Sequence, residues 1–144
     1  TSATTDIVVD VNGFVPDGGS PDALVPARLV ETRTGPGLDT VDGRFEGIGA
    51  RKAGTVSRLS VAGRGGVPAS ANGVMLNVTV VSPQAAGYLT VYPCGVPRPL
   101  ASNVNYVAGQ VVPNAVLAGI GTDGKVCIYT SATTDIVVDV NAWL

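Results

Sequence analysis

Few residues in this chain could do chemistry. There is no histidine among the 144 residues, so the many serines and threonines lack the base that a hydroxyl nucleophile needs. Lysine occurs only at Lys52 and Lys125, neither in a recognised Ser/Lys arrangement. Of the eleven acidic residues, Asp17, Asp22, Asp39, Asp42 and Asp123 fall in turn-rich stretches, where a pair placed for glycoside hydrolysis is not expected. Asp135, Asp139 and Asn141, with Asp6, Asp10 and Asn12 earlier in the chain, offer oxygen ligands suited to calcium. Asp139 and Asn141 share a strand face, but the spacing is not that of an EF-hand loop. The simpler expectation is a solvated strand face, with no cofactor and no metal bound. The run Gly119-Ile120-Gly121-Thr122-Asp123-Gly124 matches the glycine pattern of a dinucleotide loop. A β-branched segment, KVCIYT, follows where that loop needs a helix, so a hairpin turn is expected instead.

Binding is better supplied. Tyr92, Asn103 and Asn105 combine a ring with amides, the set that lies against a sugar face and bonds its hydroxyls. Asn103 and Asn105 share one strand face, while Val104 and Tyr106 take the other, so Tyr106 is expected in the core. Arg28, Glu31 and Arg33 form the densest charge cluster. They suit an acidic ligand, or more simply a structural ion pair that holds the first strand. Cys94 and Cys127 belong to no zinc pattern. They are either a disulfide or two buried thiols.

Strands must position all of these. Apolar residues make up 45% of the chain and charged ones only 14%, with 19 glycines and 10 prolines, an all-β composition rich in turns. Val74, Leu76, Val78 and Val80 alternate inward along one segment. In 88–93 the parity sets Thr90, Tyr92 and then Cys94 on one face, opposite Leu89 and Val91. In 125–130 it sets Lys125, Cys127 and Tyr129 together, opposite Val126 and Ile128. Two strands with cysteine on matching faces favour the disulfide, and with it a location outside the cytoplasm. Pro113 marks its strand, 110–118, as an edge or a bulge. Asn72–Gly73 reads as a hairpin turn. Residues 38–54 read as a long loop anchored by Phe45 and Ile48. About eight strands with these turn spacings predict a single-domain β-sandwich, jelly-roll-like or immunoglobulin-like in order. The net charge of −2 gives no footprint for nucleic acid, and no apolar run is long enough for a membrane span.

The organisation of the chain is its most specific feature. TSATTDIVVDVN runs from Thr1 to Asn12 and recurs letter for letter from Thr130 to Asn141, 129 residues later. That offset is the length of a domain, which predicts a module of a tandem array. On this reading residues 1–15 are the last strand of a preceding repeat and PDGGSPD (16–22) is the linker. Residues 23–144 are then one complete repeat, the terminal one. Two copies of one strand cannot share one slot, so residues 1–15 are also a candidate for pairing with a second chain, even for fibre formation.

The ordered motifs PARLVETRTG (26–35), LNVTVVSPQAAGYLTVYPCG (76–95), ASNVNYVAGQVVPNAV (101–116) and GKVCIYTSATTDIVVDVNAWL (124–144) resemble a repeat of extracellular actinobacterial proteins, in which secreted hydrolases or surface proteins carry several copies. The resemblance implies a secreted, non-catalytic β module. It also supports pairing of Cys94 with Cys127, which lie in its YPCG and KVCIY patterns. The expected function is therefore a structural spacer or adhesive unit, with neighbouring repeats as partners. The alternative is a module that binds carbohydrate or cell wall and tethers a secreted enzyme.

Overall fold

A computed structural model of the chain describes Thr4, Val9, Phe14 and residues 19–144. Most of the first strand copy, and residues 16–18 of the linker, lie outside the described residues. The fold is all-β, with eight strands among the described residues: β1 (Asp22–Glu31), β2 (Thr55–Ser60), β3 (Gly73–Val81), β4 (Gly87–Pro93), β5 (Val104–Tyr106), β6 (Val111–Gly119), β7 (Lys125–Thr130) and β8 (Asp135–Trp143). They form two antiparallel four-stranded sheets, in the orders β1-β8-β3-β6 and β2-β7-β4-β5.

This order follows from one long hairpin. The first strand pairs with the eighth, the second with the seventh, the third with the sixth and the fourth with the fifth. Rolling that hairpin adds the β3·β8 and β4·β7 ladders and closes a sandwich of jelly-roll order. Among the described strands only β4 and β5 are neighbours both along the chain and in a sheet. Every other connection crosses from one sheet to the other. This corrects two expectations. Asn72–Gly73 does not close a hairpin, because β2 and β3 lie in different sheets. The Gly119–Gly124 run is likewise a crossing, built on a 3-10 turn at Thr122–Gly124.

Period-two alternation puts the core between the sheets. Val74, Leu76, Val78 and Val80 of β3 meet Ile136, Val138 and Val140 of β8, and Leu89, Val91, Val126 and Ile128 come from the other sheet, all buried. Burying each such side chain contributes about 1.5–3 kcal/mol. Tyr106 is buried as the parity requires, and its hydroxyl lies 2.7 Å from the Thr130 hydroxyl. Prolines sit where a missing donor is tolerated. Pro113 lies in the edge strand β6, and Pro26 of edge strand β1 falls at a register shift between Ala23 and Ala27. β1 begins at Asp22, inside the stretch read as linker. Segment 100–107 yields only a three-residue strand, with 100–103 left as loop. Of the two anchors expected in 38–54, Phe45 packs against the core and Ile48 is exposed.

Candidate functional site

The outward face of β2-β7-β4-β5 collects the chemistry. Tyr92 stands opposite Cys127 in the β4·β7 ladder, and Thr90 opposite Tyr129. The same parity carries Cys94 to Cys127, and the two are joined in a disulfide with their Cα atoms 5.0 Å apart. Tyr92, Cys94 and Cys127 form a small buried cluster of their own, with Tyr129 packed at its margin. The segment after Cys94 folds back over this face, where Ala101 accepts a 2.9 Å hydrogen bond from the Thr90 hydroxyl. Arg98 lies with its guanidinium carbon 3.7 Å from the centre of the Tyr129 ring, which in turn stands 5.8 Å from the Tyr88 ring at 44°. Side-chain hydrogen bonding to Tyr129 holds the Arg98 guanidinium above its usual pKa. Tyr88 stands opposite Asn105 of β5. The result is a row of rings with a cation over one ring and an amide at the end.

The three residues expected to bind glycan are placed differently from one another. Tyr92 is buried at 8% exposure beside the disulfide, so its ring face is not a platform. Asn103 works for the backbone. Its side-chain oxygen accepts from the Val91 N–H at 2.6 Å, and its own N–H donates to the Leu89 carbonyl at 2.8 Å. Asn105 is exposed. Tyr92 and Asn103 line one recess of about 340 Å³ with Pro93, Pro99 and Leu117, but Asn105 does not reach it. Tyr129 and Arg98 are the residues of this row that sequence reasoning missed. Parity already set Tyr129 beside Cys127. Arg98, in a proline-rich loop, gave no signal.

Arg28, Glu31 and Arg33 do come together. Glu31 is fully buried, and its carboxylate accepts from Arg33 at 2.8 Å through both Nε and Nη2, and from Arg28 Nη1 at 3.2 Å. Burial raises the Glu31 pKa. The hydrogen bonds from the Arg33 side chain and backbone N–H, with both arginine charges, outweigh this and leave it lowered. Arg28 continues to Asp139 at 3.0 Å, a β1·β8 contact that the sequence did not announce. Asp135 accepts the Thr32 hydroxyl at 2.6 Å. Asp135 and Asp139 are thus engaged with protein donors, Asp6, Asp10 and Asn12 lie outside the described residues, and among the described residues no group of three or more Cys, Asp or Glu side chains is placed to hold a metal ion. The recess beside Thr32 and Arg33 is lined by a single carboxylate, Asp135.

The fold and this face define a jelly-roll sandwich with a disulfide-backed tyrosine surface. In comparisons with known proteins, no family model and no curated protein matches the chain. No helix among the described residues is long and apolar enough to cross a membrane.

Proposed function

We propose that this chain is a non-catalytic repeat module of a secreted or cell-surface bacterial protein, acting as a spacer and adhesive unit. The observation that carries the reading is the strand repeated at domain spacing, whose second copy is the central strand β8. A strand that completes one sandwich and recurs at the head of the next is what a tandem array requires. The disulfide fits an oxidising compartment. The motif resemblance points to the actinobacterial extracellular repeat. Adhesion is supported by the loop that follows Cys94, which holds Val96 half exposed and Leu100 fully exposed.

A second reading, carbohydrate binding, is favoured by one observation, the Tyr88–Tyr129–Arg98 row on the outer sheet face. Rings on a sheet face suit the apolar side of a sugar, and Arg98 with Asn105 would bond its hydroxyls or an acidic substituent. The two readings separate on a glycan array together with pull-down on isolated cell walls. The spacer reading expects no glycan retained above a denatured control. Retention that is lost in Arg98→Ala and Tyr129→Ala, with melting temperature unchanged, establishes the second. Turnover of polysaccharide or peptide substrates by the purified chain overturns both.

A further inference from the structure

β8 fills a slot between β1 and β3, and the slot recognises it in detail. Ile136, Val138 and Val140 point into the core, all at 2% exposure or less. On β8 and just before it, Asp139 takes Arg28, Asp135 takes the Thr32 hydroxyl, and the Thr134 hydroxyl donates to the Val81 carbonyl at 3.0 Å. Asn141 sits at the one register shift against β3, between the pairs Met75↔Ala142 and Leu76↔Val140. Among the described residues β1 has no other neighbour in its sheet.

Every one of those recognised residues exists twice. Thr5, Asp6, Ile7, Val9, Asp10, Val11 and Asn12 repeat Thr134, Asp135, Ile136, Val138, Asp139, Val140 and Asn141 in the same order and spacing. The two copies differ in their surroundings: Val138 is fully buried, whereas its counterpart Val9 is 82% exposed. The connection is short enough for the first copy to enter. Trp143 is paired with Asp22 at the start of β1, so Phe14 in the Trp143 position leaves residues 15–21 as the loop of an antiparallel hairpin with β1. That stretch, VPDGGSP, is turn-forming and longer than the gap between paired strands requires.

We propose that the slot between β1 and β3 is a binding site for a single peptide sequence of which the chain carries two copies, and that residues 5–14 enter it in cis as a hairpin with β1, releasing residues 134–144. The product is a circularly permuted form of the same sandwich. The C-terminal copy holds the slot in the intact chain for two reasons. Ala142 is buried where the first copy has glycine, a weaker strand residue, and Trp143 packs on the core where the first copy has the smaller Phe14. Both strands close the slot within their own chain, so a second molecule adds no strand pair. A short tether also gives the internal strand an effective concentration near millimolar. The permuted form is therefore monomeric. In an array, the same geometry lets each module be completed by its own last strand or by that of the module before it.

The test uses the full chain. Val9→Asp should leave the melting temperature unchanged. Val138→Asp should lower it yet keep a cooperative transition, because the first copy replaces the damaged strand, and Val9→Asp with Val138→Asp together should abolish the transition. A cross-link provides a readout that does not depend on that variant folding. Asn77 is the Cα partner of Asp139, whose counterpart is Asp10. The pair Asp10→Cys and Asn77→Cys should accumulate a 10–77 disulfide in monomers on incubation with oxidised glutathione, and Asp139→Cys with Asn77→Cys is the control. The proposal is overturned if Val138→Asp behaves like the double variant. It is equally overturned if no 10–77 bond forms while the control bond does, or if 10–77 bonds occur only in covalent dimers.

Discussion

Arg64 and Asp42 form a two-pronged ion pair, with Nε 2.7 Å from Oδ2 and Nη2 2.6 Å from Oδ1. The guanidinium side is almost fully buried, at 3% exposure, while the carboxylate is 32% exposed. Arg64 also donates to the carbonyls of Ser60 and Leu29, and its guanidinium lies over the Phe45 ring. One side chain thus ties the long β1–β2 connection to the sandwich. The hydrogen bond from Arg64 lowers the Asp42 pKa from 3.8 to about 2, against an opposing effect of burial. A carboxyl whose folded pKa is depressed contributes stability that is present above its unfolded value and lost as pH falls through the folded one. The chain should therefore lose stability between about pH 4 and 2, with Glu31 acting in the same direction. Asp42→Asn should flatten the lower part of that profile. At pH 7 it should cost about 2 kcal/mol, less than a fully buried pair because Asp42 meets solvent. Urea unfolding at pH 7 and thermal melts from pH 6 to 2 measure both effects.

The disulfide closes a loop across 33 positions between strands already paired in one sheet. Confining a loop of that length in the unfolded chain is worth about 3–4 kcal/mol in the chain-entropy model. Cys94→Ala with Cys127→Ala should lower stability by roughly that amount and leave the fold intact, because the main core lies on the other side of the sheet. Equilibrium unfolding with unchanged far-UV circular dichroism is the expected result. Loss of the native spectrum would mean that the outer cluster organises the sheet.

Strand parity was readable because a half-buried strand alternates whatever its neighbours are. Leu89 and Val91 face the core and Tyr92 and Cys94 face outward, as the alternation requires. The edge position of β6 was one of the two readings, edge or bulge, that Pro113 allows. Strand order was not, because parity names a face and never a neighbour, and β1 finds its partner β8 at the far end of the chain. Turn chemistry has the same limit. Asn72–Gly73 and Gly119–Gly124 mark changes of direction without saying which sheet the next strand joins. Within the site, Asn103 reads as a ligand amide because composition cannot separate a side chain that faces solvent from one that bonds a neighbouring strand. The Arg64–Asp42 pair joins two glycine-rich loops that lack any periodic signal.

Asn103 yields a prediction that guards the carbohydrate reading. Removing its side-chain oxygen leaves the Val91 N–H without that 2.6 Å acceptor in a half-buried setting. Asn103→Ala should cost about 1–2 kcal/mol. Asn103→Asp keeps an acceptor at the same place and should recover most of that loss. Chemical denaturation of the two variants separates the outcomes. If both are as stable as the parent, the backbone role is wrong, and Asn103 becomes available to a ligand.

Gly121 of the glycine run is required by space rather than by conformation. Its φ of −100° is open to any residue, so conformation does not demand glycine there. Space does. A Cβ at this position would run into the backbone N, C and O of Cys94, because the 3-10 turn lies against the end of β4. The contact is held from both sides: the Gly121 N–H donates to Lys125 at 2.9 Å and the Thr122 N–H donates to Cys94 at 2.8 Å. Backbone cannot yield as a flexible side chain can, so Gly121→Ala must push the turn off the disulfide strand. The expected cost is about 2–3 kcal/mol, at the upper end for an added methyl in a packed site. At Gly119 the nearest atom to an added Cβ is the Pro93 side chain at 3.3 Å, so Gly119→Ala should be clearly milder. Urea midpoints for the two variants decide the matter, and equal shifts would show that the turn does not press on Cys94.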